Sequence, residues 1–232
     1  MSVTKLNSPI LLTGCPRSGT SLIAQVFAKC SCFTGSISKH NMFENTFIKE
    51  EIIKPYLSSI KADVNGVYPL PKQINIPVNW KESVEASILE QGYRSGNWMV
   101  KDAKSSLLWQ IWNHAYPNAK WVIVRRKPKD IINSCLKTGY MKSFSDPDVL
   151  YKIKVDTEEE GWKWMINEYE KRFVEMISAG LNVKVIWPER MVHGDYQQLY
   201  ETLEWLGLPW KSNILNFIDP LLWNSRKKER SL

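Results

Sequence analysis

The residues Thr13-Gly14-Cys15-Pro16-Arg17-Ser18-Gly19-Thr20-Ser21 follow the apolar run Ile10-Leu11-Leu12 and precede the helix-periodic Leu22, Ile23, Val26 and Phe27. Strand, glycine-bracketed turn and helix, in that order, aim successive backbone N–H groups and the positive end of a helix at one anion. The spacing Gly14-x4-Gly19 is the frame of a nucleotide phosphate loop, but Thr20-Ser21 stands where such loops carry lysine and a hydroxyl residue. Arg17, inside the turn, brings a guanidinium fork suited to bidentate contact with oxyanions. The stretch reads as an oxyanion cradle not built for ordinary nucleoside triphosphate hydrolysis. Its candidate contacts are Pro16, Arg17, Ser18, Gly19, Thr20 and Ser21. A plain Gly-rich turn between a buried strand and a helix would show the same glycines, so the loop needs company to carry a function.

Two more stretches supply it. Trp98-Met99-Val100-Lys101 is a short strand candidate that ends on Lys101-Asp102. Ala119 to Arg125 is the clearest buried strand, and Arg126-x-Pro128-x-Asp130 follows it, with Ser134 eight residues after Arg126. Arg126 at a strand end and Ser134 two turns along the next helix are placed to reach a second phosphate. Asp130 reads as a helix-capping or structural acid.

The remaining elements must hold these ends together. The first helix runs to about Lys29 and stops in Cys30-Ser31-Cys32; Phe47, Ile48, Ile52, Ile53, Tyr56 and Leu57 have helical spacing. Residues 63–79, with Gly66, Pro69, Pro71 and Pro77, read as a surface or lid loop. Asn79 with Glu82 starts a helix to about Gln91, and Ser105 caps another through Trp112, stopped by Pro117. Pro128 opens a helix that Gly139 closes, with a loop around Phe144 to Pro147 after it. Thr157 and Glu160 form a capping box for a long helix ending at Gly180. Val183 to Trp187 is the last strand, Asp195 caps a helix ending at Gly207, and one short helix precedes a basic tail at about 224–232. Strands alternating with helices predict an α/β fold: a single-domain, doubly wound parallel sheet over 1–232 with helices on both faces. Ligands then bind beyond the carboxyl ends of the strands, where Arg17 to Ser21, Lys101-Asp102 and Arg125-Arg126 all lie.

At 232 residues the chain suits one domain with a sizeable core. A net charge of +7 favours anionic partners, although Arg226-Lys227-Lys228 and Arg230 carry part of the excess. Eleven tryptophans are scattered without the basic-aromatic interleaving of a nucleic-acid surface, so they read as core or pocket walls and no nucleic acid is expected. Cys15, Cys30, Cys32 and Cys135 have neither zinc-ligand spacing nor a disulfide framework. No metal is expected, and a reducing, cytoplasmic location is the expectation in the absence of a signal peptide or membrane span.

Taken together these residues resemble the sulfotransferases that use 3′-phosphoadenosine 5′-phosphosulfate (PAPS). Cys15 to Ser21 is similar to the family's 5′-phosphosulfate loop, and Arg126 to Ser134 to its 3′-phosphate motif. Val100-Lys101-Asp102 resembles the Lys-Asp-Pro segment of the tyrosylprotein and bacterial branches, with Ala103 in place of the proline. Leu203-Glu204-Trp205-Leu206-Gly207-Leu208-Pro209 is similar to a terminal Phe-Leu-Gly-Leu-Pro helix end. The likeness covers about 9–30, 97–140 and 183–210.

The resemblance implies metal-independent sulfuryl transfer from PAPS to an acceptor hydroxyl or amine, leaving the bisphosphate product PAP. Arg17 and Lys101 would stabilise charge on the transferring group and Glu44 would be the base. Pro16 to Ser21 would hold the 5′ end of the cofactor, with Arg126 and Ser134 on its 3′-phosphate. The aryl-branch histidine falls on Ala103; the glutamate that the tyrosylprotein-type branch uses shortly after the first helix resembles Glu44 in Met42-Phe43-Glu44-Asn45, with His40 and Asp102 as runners-up. His114 and His193 need only core or surface roles. Arg226-Lys227-Lys228 is a candidate clamp on the 3′-phosphate or a solvated end. Acceptor recognition is expected in 33–80 and 140–156, where Phe43, Tyr68, Trp80, Tyr140 and Phe144 could line a site. Two other classes stay open: a P-loop nucleoside or nucleotide kinase, and a non-catalytic nucleotide- or polyanion-binding module.

Overall fold

The computed structural model of the chain describes residues 6–37, 42–68, 74–139, 142–218 and 223. Four parallel strands, β1 (Ile10–Gly14), β2 (Met99–Lys101), β3 (Lys120–Val124) and β4 (Val183–Ile186), stand in the order β2-β1-β3-β4. The chain leaves β1 toward β2 and then crosses back past it to β3. The strand order therefore reverses between β1 and β3, and the crevice opens at their carboxyl ends. In register Leu12 faces Lys101, Gly14 faces Val124, and Val124 faces Ile186.

Side-chain alternation along the strands divides the interior into two cores. Leu11, Val100, Trp121 and Ile123 enter one, while Ile10, Leu12, Met99, Val122 and Val124 enter the other. A slip of one residue in any strand would exchange these sets. The first core lies under α3 (Trp80–Glu90), α4 (Lys104–Leu107), α5 (Trp109–Ala115), α6 (Pro128–Thr138) and α8 (Glu158–Ser178). The second lies under α1 (Thr20–Lys29), α9 (Pro188–Val192) and α10 (Gln197–Leu206). Trp98, Trp112, Trp121 and Trp162 are fully buried, which is where so tryptophan-rich a chain puts its largest apolar area. Each fully buried Leu or Ile adds about 1.5–3 kcal/mol, so both faces of the sheet are firmly held.

Several expected boundaries hold for the expected reason. Thr157 and Glu160 make the reciprocal capping box that starts α8, and Gly139 (φ 59°) and Gly207 (φ 74°) end α6 and α10 in the left-handed conformation. Others differ. Ser105 lies inside α4 and caps nothing; the N–H of Lys104 goes to Asp102 Oδ1 at 2.8 Å, and the helix breaks at Leu108 before α5. The side chain of Asn79 makes no cap bond to α3. After the turn at Phe144 the chain forms α7 (Pro147–Ile153), whose start Asp146 caps by accepting from the Asp148 N–H. The helical segment after Asn45 opens as a π-helix over Ile48–Ile53 before α2 (Lys54–Ser59). Of the expected surface or lid loop over 63–79, residues 63–68 form a closed turn and 69–73 lie outside the described residues. Asp63 accepts from the N–H groups of Asn65, Val67 and Tyr68, and the Gly66 carbonyl accepts from the Tyr169 hydroxyl at 2.8 Å. No described helix is long and apolar enough to cross a membrane.

Candidate active site

The turn after β1 is tight because its glycines leave no alternative. A Cβ on Gly14 would lie 2.5 Å from the Val124 carbonyl oxygen and 2.7 Å from Ser18 Oγ. Gly19 has φ +100° and caps α1 without a side chain, while Arg17 itself takes φ 67°. Thr20 and Ser21 are the first two residues of α1, so their N–H groups have no acceptor within the helix. No acidic residue sits in that first turn to compensate its positive end. Ser18 Oγ is buried without a hydrogen-bond partner. A backbone cradle of this kind, with an orphaned hydroxyl beneath it, fits a terminal oxyanion.

The stretch Arg126 to Ser134 meets the turn after β1. Arg126 Nη1 donates to the Arg17 carbonyl at 3.3 Å, and Arg17 Nε donates to Ser134 Oγ at 3.0 Å. Ser134 is buried on α6, whose first residue is Pro128. Arg126 also donates to the Trp223 carbonyl, and its Nε is buried with no partner. Beside it lies a cleft of about 320 Å³ lined by Lys127, Asp130, Glu189, Arg190, His193 and Trp223. Burial lowers the Arg126 pKa from its usual value, against the pull of Asp130 and Glu189. Arg125, by contrast, is committed elsewhere. Its Nε and Nη2 hold both oxygens of Glu170 at 3.1 and 2.6 Å, and its guanidinium lies over Trp187.

At the end of β2 the charges are paired. Lys101, 4% exposed, reaches Glu44 Oε1 at 3.1 Å, and Lys49 on the π-helix reaches Glu44 Oε2 at 2.6 Å. Lys104 meets Asp102 Oδ1 at 2.9 Å, and Asp102 Oδ2 is buried without a partner. Burial by itself would raise the Glu44 carboxyl, but Lys101, then Lys49 and Lys104, hold it at about 2. Burial lowers the Lys101 pKa by more than Glu44 and Asp102 restore. The segment bearing Glu44 is tied to the loop by Ser21 Oγ, which donates to the Met42 carbonyl at 3.3 Å. Phe43 turns the chain there at φ 56°. Thr13 Oγ1 donates to the Ala103 carbonyl at 3.1 Å and ties β1 to the turn after Lys101.

The structure thus gathers Arg17, Ser134 and Arg126 into one linked rim, and sets Lys101 with Glu44 at the end of the neighbouring strand. His40, Tyr140, Arg226, Lys227 and Lys228 lie outside the described residues. Asp102 is almost fully buried and engaged with Lys104. Trp80 and Phe144 are core residues rather than acceptor walls: Trp80 packs edge-on to Trp112, and Phe144 lies against Gly161 and Trp162. Lys49, Lys104 and Trp223 were not legible as site residues. Lys49, five residues after Glu44, stands at the start of the π-helix, an irregularity common at functional sites.

Among the described residues no three His, Cys, Asp or Glu side chains converge as metal ligands would. No curated protein sequence matches the chain. Among solved structures the fold is similar to the sulfotransferase domain from the curacin biosynthetic pathway, at 16% identity and TM-score 0.56, over 91% of this chain and 78% of that one. The sulfotransferase domain of the Synechococcus PCC 7002 olefin synthase gives 15% identity and TM-score 0.54, over 100% and 93%. Sulfotransferase STF9 from Mycobacterium avium gives 11% identity and TM-score 0.55, over 93% and 67%. These likenesses speak for the fold. The sequence model of the Sulfotransferase family matches residues 9–212, and the chain belongs to that family.

Proposed function

We propose that the protein is a PAPS-dependent sulfotransferase acting on a hydroxyl or amine acceptor. The observation that carries this reading is the rim in which Arg126 bonds the Arg17 carbonyl and Arg17 bonds Ser134, next to the Lys101–Glu44 pair. When bound, PAPS supplies the sulfuryl group. The N–H groups of Thr20 and Ser21, with Arg17, hold the anionic 5′ end, and Arg126 and Ser134 hold the ribose 3′-phosphate. Lys101, at a strand end, neutralises charge that develops on the leaving side, where preorganised donors are worth most.

Glu44 takes the acceptor proton. Held at about 2 by its lysines, its carboxyl is ionised at neutral pH but weakly basic. The longer contact, Lys101 to Oε1 at 3.1 Å, is the one released when Lys101 turns to the developing anion. That turn removes one of the lysine influences that depress Glu44 and strengthens it as a base, while Lys49 keeps Oε2 in place. Cys15, Cys30, Cys32 and Cys135 are all unpaired and buried, which suits a reducing compartment, and the cytoplasm is the proposed location.

The test is transfer of radiolabelled sulfate from PAPS to a panel of phenols, sugars, amines and tyrosine peptides, with magnesium-ATP as control donor. Labelled product from PAPS alone is expected. Phosphoryl transfer from ATP without sulfuryl transfer from PAPS would overturn the reading in favour of a kinase.

A further inference from the structure

Arg125 and Arg126 are adjacent in sequence but differ at the same edge of the guanidinium. In Arg125 the Nε–H and Nη2–H groups, which point the same way, grip the two oxygens of one carboxylate. In Arg126 that fork is half filled. Nη2 donates to the neutral carbonyl of Trp223 at 3.2 Å, and Nε, on the same edge, is buried with no partner. The Trp223 indole covers the same group, its ring centroid 4.4 Å from the guanidinium carbon. The other flank of that indole abuts the phosphate loop, since a Cβ on Gly19 would come within 2.6 Å of Trp223 Cζ3. One residue therefore touches both halves of the rim and also lines the cleft beside Arg126.

A fork with one prong on a carbonyl and the other orphaned is prepared for a ligand with two oxygens. A phosphate fills both prongs with bonds in which donor and acceptor are both charged, where the carbonyl offers a single bond to a neutral acceptor. It does so only where the Trp223 carbonyl no longer stands. We infer that Trp223 gates the ribose-phosphate fork: in the free chain it holds Arg126 by carbonyl and indole, and a nucleotide 3′-phosphate takes the fork by displacing it. The inference rests on the reading that Arg126 receives that phosphate, and it adds a residue that neither the motifs nor the family match assigns. Because only the opened population receives the phosphate, the gate weakens apparent affinity by the open fraction. It also speeds the exchange of a bisphosphate product by offering Arg126 a substitute partner.

The experiment uses the full chain and PAP, with AMP as the probe that lacks the 3′-phosphate. Trp223→Ala keeps the carbonyl but removes the indole that anchors it. PAP should bind this variant about fivefold more tightly, chiefly through faster association, while AMP affinity stays within about twofold. In parallel, the wild-type chain carrying 5-fluorotryptophan is followed by fluorine NMR, and the resonance that Trp223→Phe removes is assigned to Trp223. That resonance should shift on saturation with PAP well beyond any shift that AMP produces through the neighbouring loop, a result independent of how well Trp223→Ala folds. Weaker PAP binding by Trp223→Ala would make the indole a holder of nucleotide and overturn the gate. So would a Trp223 resonance unmoved by bound PAP, or one moved equally by AMP. A wild-type chain that binds no PAP overturns the nucleotide reading itself and the gate with it, whereas normal PAP binding with an indifferent Trp223 overturns the gate alone.

Discussion

At the loop end of the site Arg126 makes its hydrogen bonds to two backbone carbonyls, those of Arg17 and Trp223, and the first turn of α1 carries no acidic residue. At the β2 end each Glu44 oxygen has its own ammonium group, and Asp102 has Lys104. The same fold therefore contains one cluster whose positive charge meets mainly neutral dipoles and another whose charges cancel in pairs. A cation facing carbonyls gives up little when an anion arrives, since the replacement bond is the stronger one. A buried carboxylate between two lysines gives up much when either lysine leaves. The first arrangement suits binding, and the second suits a change of partner during reaction.

That contrast predicts loss of turnover at the β2 end and loss of nucleotide affinity around Arg126 and Ser134, with Arg17, proposed to hold the reacting 5′ end, affecting turnover as well. The largest effect is expected for Lys101→Met and Arg17→Ala, each losing turnover by about 10²–10³-fold with the far-UV circular dichroism intact. Wild-type turnover in Lys101→Met would remove the distinction between the ends. Glu44→Gln should lower stability at pH 7 by about 3 kcal/mol, because Lys101 is left buried without its anion. The sign with pH is fixed by the depressed carboxyl. Its contribution is complete above the unfolded value near 4.5 and is lost as pH falls through about 2, so wild type and variant should converge across that window in urea titrations. A gap that instead widened toward pH 2 would mean that Glu44 is not held by lysines.

Arg126→Ala should leave the melting temperature nearly unchanged yet weaken PAP binding by about 10–100-fold, with adenosine 5′-phosphosulfate little affected. Equal losses for both nucleotides in calorimetry would place Arg126 away from the ribose phosphate. The smallest effect is expected for Ser134→Ala, a loss of about fivefold for PAP, since a neutral hydroxyl contributes about 1 kcal/mol. A loss as large as that of Arg126→Ala would show that its bond to Arg17 Nε organises the rim rather than merely joining it.

Much of this was legible in the sequence because it is local. The continuous apolar run in Lys120–Val124, the glycines at 14, 19, 139 and 207, and the Thr157–Glu160 box each fix an element within a few residues of themselves. Helices α7 and α9 escaped notice although Asp146-Pro147 and Trp187-Pro188 carried the start signal of a proline at the first helical position. The three candidate strand ends could be read, but not which of the paired arginines was committed. Glu170, which takes Arg125, lies on α8, 45 residues away. Lys49 was hidden for a different reason: it reaches Glu44 across the irregular entry to a π-helix, and no periodicity announces that pairing. Trp223 was one tryptophan among eleven, distinguished only by what it covers.

The central claim is that one rim holds both phosphate ends of a single nucleotide. Isothermal titration of the wild-type chain with PAP, then with adenosine 5′-phosphosulfate and ATP, tests it most directly. The account predicts one site per chain that binds PAP at least tenfold more tightly than either nucleotide lacking the 3′-phosphate. Equal affinity for all three, or binding of ATP alone, would contradict it.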